Sequence, residues 1–135
     1  MTAEEAQQIL DTAAAPYVRA LGLTLLSHEG ESVTLRMPVT PQVVHGGGVV
    51  CGQALMAAAD TAMVIALSAA LGGFRPMTTA QLGTSFLRPV PGDASELRVV
   101  GTVLRRGRTL AFGEVEIFTP DGRLAVHATT TYALL

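Results

Sequence analysis

The sequence has no lysine, a single cysteine and only three histidines, and each shortage removes a class of explanation. With Cys51 alone, no internal disulfide can staple the fold. His28, His45 and His127 are too dispersed for zinc-ligand spacing, so no metal cofactor is expected. Charged residues make up only 15% of the chain and the formal net charge is -2. With no basic run beyond Arg105-Arg106, the long phosphate track of a nucleic-acid binder is not indicated. All nine basic residues are arginine, a side chain suited to bidentate phosphate contacts. The start, Met-Thr-Ala-Glu-Glu-Ala-Gln-Gln, is acidic and polar where a signal peptide needs a basic head and an apolar run, so a cytoplasmic location is expected.

Apolar residues, by contrast, make up 49% of the 135 residues. That length suits one domain, read here as residues 1–135, with a core large enough to need no staple. The apolar share is high for a small monomer, which has much surface to cover, and the surplus points to burial between subunits. Val49 to Leu71 is as long and almost as apolar as a membrane span. Gln53 and Asp60 lie inside it, and a mid-span carboxylate is costly. Much of the rest is alanine, and amphipathic strands follow, so a buried core helix is expected and a membrane is not.

Thr2 is a plausible N-cap for a helix over Thr2 to Ala20, with Glu4 and Glu5 in its first turn and Pro16 able to kink or divide it. Two strands follow, Leu23 to His28 and Ser32 to Val39, the second alternating Val33, Leu35, Met37 and Val39 against Ser32, Thr34 and Arg36. Gly46-Gly47-Gly48 marks a loop. A long helix begins near Gly52 and stops at Gly72-Gly73. Its alanines are spread all round, and a helix without a broad polar face is buried on most sides. Four strands then run over Met77 to Leu87, Glu96 to Arg105, Thr109 to Thr119 and Leu124 to Ala133, and their short connections favour antiparallel neighbours. The order predicts an α+β fold with an antiparallel sheet curled around the long helix and edge strands free to pair with a second subunit.

Four local patterns stand in series: Gly-Gly-x-Val-x-Gly followed by Ala-Leu-Met-Ala-Ala-Ala-Asp-Thr-Ala-Met over Gly47 to Met63, Thr-Thr-x-x-Leu-x-x-x-Phe-Leu-Arg-Pro over Thr78 to Pro89, Gly-Arg-Thr-Leu-Ala-Phe-Gly-Glu-Val over Gly107 to Val115, and His-Ala-Thr-Thr-Thr-Tyr over His127 to Tyr132. In this order they resemble the hot-dog-fold thioesterases, specifically the phenylacetic-acid-degradation (PaaI-like) group, over about residues 17 to 134. The resemblance implies a hot-dog fold and hydrolysis of an acyl-CoA to a carboxylic acid and free CoA. It implies no cofactor beyond the coenzyme A of the substrate. It also implies a dimer or dimer of dimers whose sites are shared between subunits. The sequence departs in one respect: many members carry His-Gly-Gly nine residues ahead of the helix acid, where Cys51-Gly52-Gln53 stands here. His45 instead lies fifteen residues before Asp60, where related enzymes often place Asn or Gln.

Asp60 is the leading catalytic candidate. A carboxylate in an apolar helix is either a structural group satisfied by backbone or a functional one at a water-lined site, and the resemblance implies a general base or nucleophile. Gly52 either simply starts the helix or presents its N–H to an oxyanion. Thr79 is an ordinary strand threonine or, by resemblance, the holder of the attacking water, sharing a strand face with Gln81, Gly83 and Ser85. His45 caps its loop or polarises the carbonyl. Gln53 and Gln81 are read as lining the substrate. Arg88 and the turn with Arg106 and Arg108 are candidates for coenzyme A phosphates, against the alternative of solvated turns. Cys51 lacks an evident base and reads as packing. Two other readings are a non-catalytic acyl-CoA-binding or regulatory protein on this fold, and a hot-dog hydratase or dehydratase.

Overall fold

The N-terminus is fixed by a reciprocal cap: the Glu5 N–H donates to the Thr2 hydroxyl at 3.1 Å, and the Thr2 N–H donates to the Glu5 carboxylate at 2.8 Å. In the computed structural model, which describes residues 1–135, the expected first helix is divided. It comprises α1 (Ala3–Gln8), a π-helical turn (Ile9–Ala13) and α2 (Pro16–Arg19). Pro16 makes the break, since it cannot donate to the preceding turn and takes the first position of α2.

Strands β1 (Thr24–Glu29) and β2 (Ser32–Pro38) form a hairpin around Gly30, whose φ of 58° suits glycine. Val33, Leu35 and Met37 are buried as the alternation requires, while Val39 lies beyond the strand end and is half-buried. A 3-10 turn (Pro41–Val43) and the glycine loop lead into α3 (Gly52–Leu71), which Gly72 ends in the left-handed conformation. The remaining strands are β3 (Met77–Phe86), β4 (Glu96–Arg106), β5 (Leu110–Phe118) and β6 (Leu124–Leu134).

All six strands join one antiparallel sheet in the order β1-β2-β4-β5-β6-β3, wrapped around α3, so the expected α+β hot-dog architecture is present. β4, β5 and β6 are successive hairpins. β3 departs from the expectation of sequential neighbours, for it lies at the far edge and pairs with β6 rather than β4. Pro89 and Pro91 have no N–H to extend a ladder. The chain over residues 87–95 therefore crosses the start of α3, where the Val50 N–H donates to the Val90 carbonyl at 2.9 Å and Val49 bridges Pro91.

Small residues decide how closely sheet and helix meet. A Cβ on Gly101 would lie 3.0 Å from the Ala62 carbonyl oxygen, and the Met63 side chain fills the space over Gly113. Ala58, Ala59, Ala62, Met63, Ile65 and Leu67 of α3 are fully buried. By length and mean hydropathy, 1.8, α3 could cross a bilayer, but here it is the spine of the core. One stripe of it stays uncovered: Gln53, Met56, Asp60 and Val64, spaced three or four residues apart, are exposed or half-buried.

Candidate active site

Asp60 sits in the middle of that stripe, and two hydroxyls converge on one of its oxygens. The Thr79 hydroxyl, from β3, donates to Oδ1 at 2.7 Å. The Tyr132 hydroxyl, from β6, lies 2.7 Å from the Asp60 carbonyl oxygen and also hydrogen-bonds Oδ1. Tyr132 is 1% exposed, and its burial, reinforced by the carboxylate beside it, pushes the phenol well above the usual tyrosine range. It therefore stays protonated as a donor. No protein donor reaches Oδ2, so a carboxylate oriented by two hydroxyls keeps one oxygen free toward the uncovered side.

Strand β3 delivers Thr79 to this place through an irregularity. Thr79 pairs with Tyr132, but Gln81 pairs with Thr131, so Ala80 is an extra residue in the ladder. Tyr132 faces the helix and Thr131 faces outward, and their partners follow. The expectation that Thr79 shares a face with Gln81, Gly83 and Ser85 is thus corrected. Gln81 lies beside Gly83 and Thr129 on the outer face and does not join Asp60.

A second group of candidates gathers at the start of α3. Cys51 is the N-cap without a side-chain hydrogen bond, which leaves the first-turn N–H groups unpartnered, that of Gly52 among them. A Cβ on Gly52 would lie 3.3 Å from the ring of Phe86. His45 is exposed in the adjoining loop, where its Nδ1 accepts the Gly47 N–H at 2.8 Å, the turn-capping role. Arg88 leaves the end of β3 nearby, exposed and without an ion pair. Gly52 and Asp60 are eight residue steps apart along α3, about 12 Å at 1.5 Å per step. One thioester carbonyl cannot touch both within a single subunit.

Comparison with known proteins decides the family. The model of the thioesterase superfamily matches residues 42–126. The chain belongs to the thioesterase superfamily. No curated protein matches it in sequence. Among solved structures, zebrafish thioesterase superfamily member 2 has a TM-score of 0.89 at 24% identity, covering 100% of this chain and 99% of that one. A conserved protein of Pseudomonas aeruginosa has a TM-score of 0.83 at 29% identity, covering 99% and 100%. The PaaI protein of the Escherichia coli phenylacetic acid degradation operon has a TM-score of 0.84 at 19% identity, covering 100% and 96%. These likenesses carry the hot-dog fold expected from the sequence.

Within this superfamily member the remaining candidates scatter. Gln53 is exposed in the first turn of α3, on the Asp60 stripe but toward Gly52. Arg106 pairs with Glu31 at 3.7 Å, and Arg108 is exposed in the β4–β5 turn. That turn lies near Leu71, at the opposite end of α3 from Arg88, so the arginines do not form one phosphate cluster within a subunit. No three His, Cys, Asp or Glu side chains meet closely enough to share an ion. The largest cleft, about 520 Å³, lies among Gln7, Asp11, Arg19 and Thr24 and touches neither Asp60 nor its partners. Tyr132 is the residue the sequence reading passed over. The signal was present, since a tyrosine on a strand's buried face needs a partner for its hydroxyl.

Proposed function

We propose that the protein is an acyl-CoA thioesterase, cytoplasmic and working as a homodimer or dimer of dimers. The observation that carries this is the Asp60 carboxylate, held through Oδ1 by Thr79 and Tyr132 with Oδ2 free beside an uncovered apolar stripe. Oδ2 either takes a proton from the water that attacks the thioester carbonyl or attacks that carbonyl itself. In either route the carbonyl oxygen becomes an oxyanion and collapse expels the CoA thiolate, which takes up a proton. With water as nucleophile the acid forms directly; with Oδ2 as nucleophile a water molecule then hydrolyses the mixed anhydride to release the acid and restore the Asp60 carboxylate. Thr79 and Tyr132 hold the carboxylate, and the Thr79 oxygen keeps a lone pair for water.

The oxyanion donor comes from a second subunit. Strand β3 is an unpaired edge, and the apolar side chains of Met56, Phe86 and Leu87 are exposed along it. A two-fold axis crossing that edge near Leu82 and Gly83, midway between Thr79 and Phe86, sets Thr79 opposite the partner's Phe86. Because Phe86 touches Gly52, the partner's Gly52 N–H then faces Asp60. His45, Gln53 and Arg88 come with that half, where Arg88 suits a coenzyme A phosphate.

The test is release of free thiol from a panel of acyl-CoAs by the purified protein. Turnover that Asp60→Asn abolishes supports the reading. Saturable binding of acyl-CoA without any thiol release would favour the non-catalytic alternative instead.

A further inference from the structure

The stripe that carries Asp60 does not end in solvent. One turn beyond Asp60, Val64, the last residue of the stripe, forms part of the wall of a partly open cavity of about 200 Å³ bordered by the N-terminal segment. Ile9, Ala14 and Val18 roof it, Thr61 and Val64 of α3 form one side, and Phe74 and Met77 another. Met77 faces the same side of β3 as Thr79, so the cavity, though not lined by Asp60 itself, lies one helical turn from it along α3 and two residues from Thr79 along β3. The roof is the π-helical turn, closed by the Ala14 N–H donating to the Ile9 carbonyl at 3.2 Å. Such turns are rare and frequent at functional places.

The lining is apolar except for Thr61, and the Thr61 hydroxyl is already spent on the Ala57 carbonyl at 2.7 Å. Among its side chains the cavity thus offers no donor that lacks a partner. A polar occupant would lose its hydration without compensation, and an apolar one would not. Cavities of roughly 150 Å³ with such linings accept benzene, so this one has room for roughly one ring or a chain of about six carbons.

We infer that this cavity receives the acyl group of the thioester, and that it selects compact apolar acyl groups over acetyl on one side and over long chains or chains with polar ends on the other. The inference rests on the thioesterase reading, with the carbonyl at Asp60, the coenzyme A directed toward the partner's half and the acyl group directed past Val64. Selectivity then follows from filled volume, since each methylene gained or lost in such a pocket is worth about tenfold or more in kcat/KM.

The experiment measures kcat/KM for acetyl-, hexanoyl-, 6-carboxyhexanoyl- and palmitoyl-CoA, on the full-length protein and on Val64→Phe and Ala14→Leu. These two variants fill the cavity from opposite walls, and each is checked for folding by its melting temperature. Expected are a clear preference of the parent for hexanoyl and a hexanoyl-to-acetyl ratio lowered at least about tenfold in whichever variants fold. Palmitoyl-CoA or the carboxylated chain turned over as well as hexanoyl, or a ratio unmoved in a folded variant, overturns the inference. If no acyl-CoA releases thiol, the hydrolase reading fails separately and calorimetry takes over. Tighter binding of hexanoyl- than acetyl-CoA, lost in the variants, still upholds the pocket, and equal binding of the two overturns it.

Discussion

A carboxylate that accepts two hydroxyl donors through one oxygen is oriented without being neutralised. Asn can accept the same two bonds through its amide oxygen, so Asp60→Asn should melt within a few degrees of the parent while thiol release falls by between about a hundred- and ten-thousandfold. Turnover and melting temperature on one preparation decide this, and a large loss of stability with turnover per folded molecule intact would assign Asp60 a structural role. Tyr132 supplies a pH signature. Its folded pKa lies above the ordinary value of 10.0, so below about pH 10 both folded and unfolded chains keep the phenolic proton and its stabilisation is complete. Above that pH the unfolded chain loses the proton while the folded one holds it, and stability falls. Tyr132→Phe should be less stable by about 1–2 kcal/mol at neutral pH and should fall less steeply between pH 9 and pH 11, as read from denaturant melts at intervals across that range. Asp60 was legible because a charge in an apolar helix demands a reason. Its pairing with Tyr132 was not, because a buried-face tyrosine asks for some partner but the two residues are 72 positions apart and nothing local says which.

Among the elements, β3 carries the most consequence for the site. The extra residue at Ala80 turns Thr79 inward while Gln81, Gly83 and Ser85 face out. Deleting Ala80 restores plain alternation and sends either Thr79 or the strand beyond it to the wrong face. The expected result is loss of thiol release approaching that of Asp60→Asn with the sheet retained, and circular dichroism alongside the thiol assay checks both. The close approach of Gly101 to the helix backbone gives a second element-scale prediction. Gly101→Val places a branched side chain against the Ala62 carbonyl and should destabilise by about 1–3 kcal/mol in denaturant melts. The long helix could be read to its ends because Gly52 and Gly72 bracket an unbroken apolar run. The bulge could not, since Thr79-x-Gln81-x-Gly83 reads as simple alternation. The place of β3 at the far edge was hidden too, because Pro91-Gly92-Asp93 carries the same turn signals as a hairpin.

For the whole molecule, the proposed function divides the site, since with Gly52 and Asp60 about 12 Å apart along α3 one subunit would hold two half-sites. The apolar surplus seen in the composition has its counterpart in the open β3 edge and the exposed Met56, Phe86 and Leu87 beside it. What composition could not convey is that β3 is an edge strand, because that depends on β3 leaving its sequence neighbour for β6. Sedimentation at micromolar concentration should give a dimer or larger species and no folded monomer. The most direct test of the shared site is complementation between two variants. Asp60→Asn removes the carboxylate, and Gly52→Val crowds the oxyanion donor against Phe86, so each alone should be nearly inactive. Co-expressed in equal amounts, they should regain about a quarter of the parental thiol release, because half of the dimers are mixed and each mixed dimer has one intact site. Activity no greater than that of the two variants measured separately, in samples shown to contain mixed dimers, would contradict a site built from two subunits.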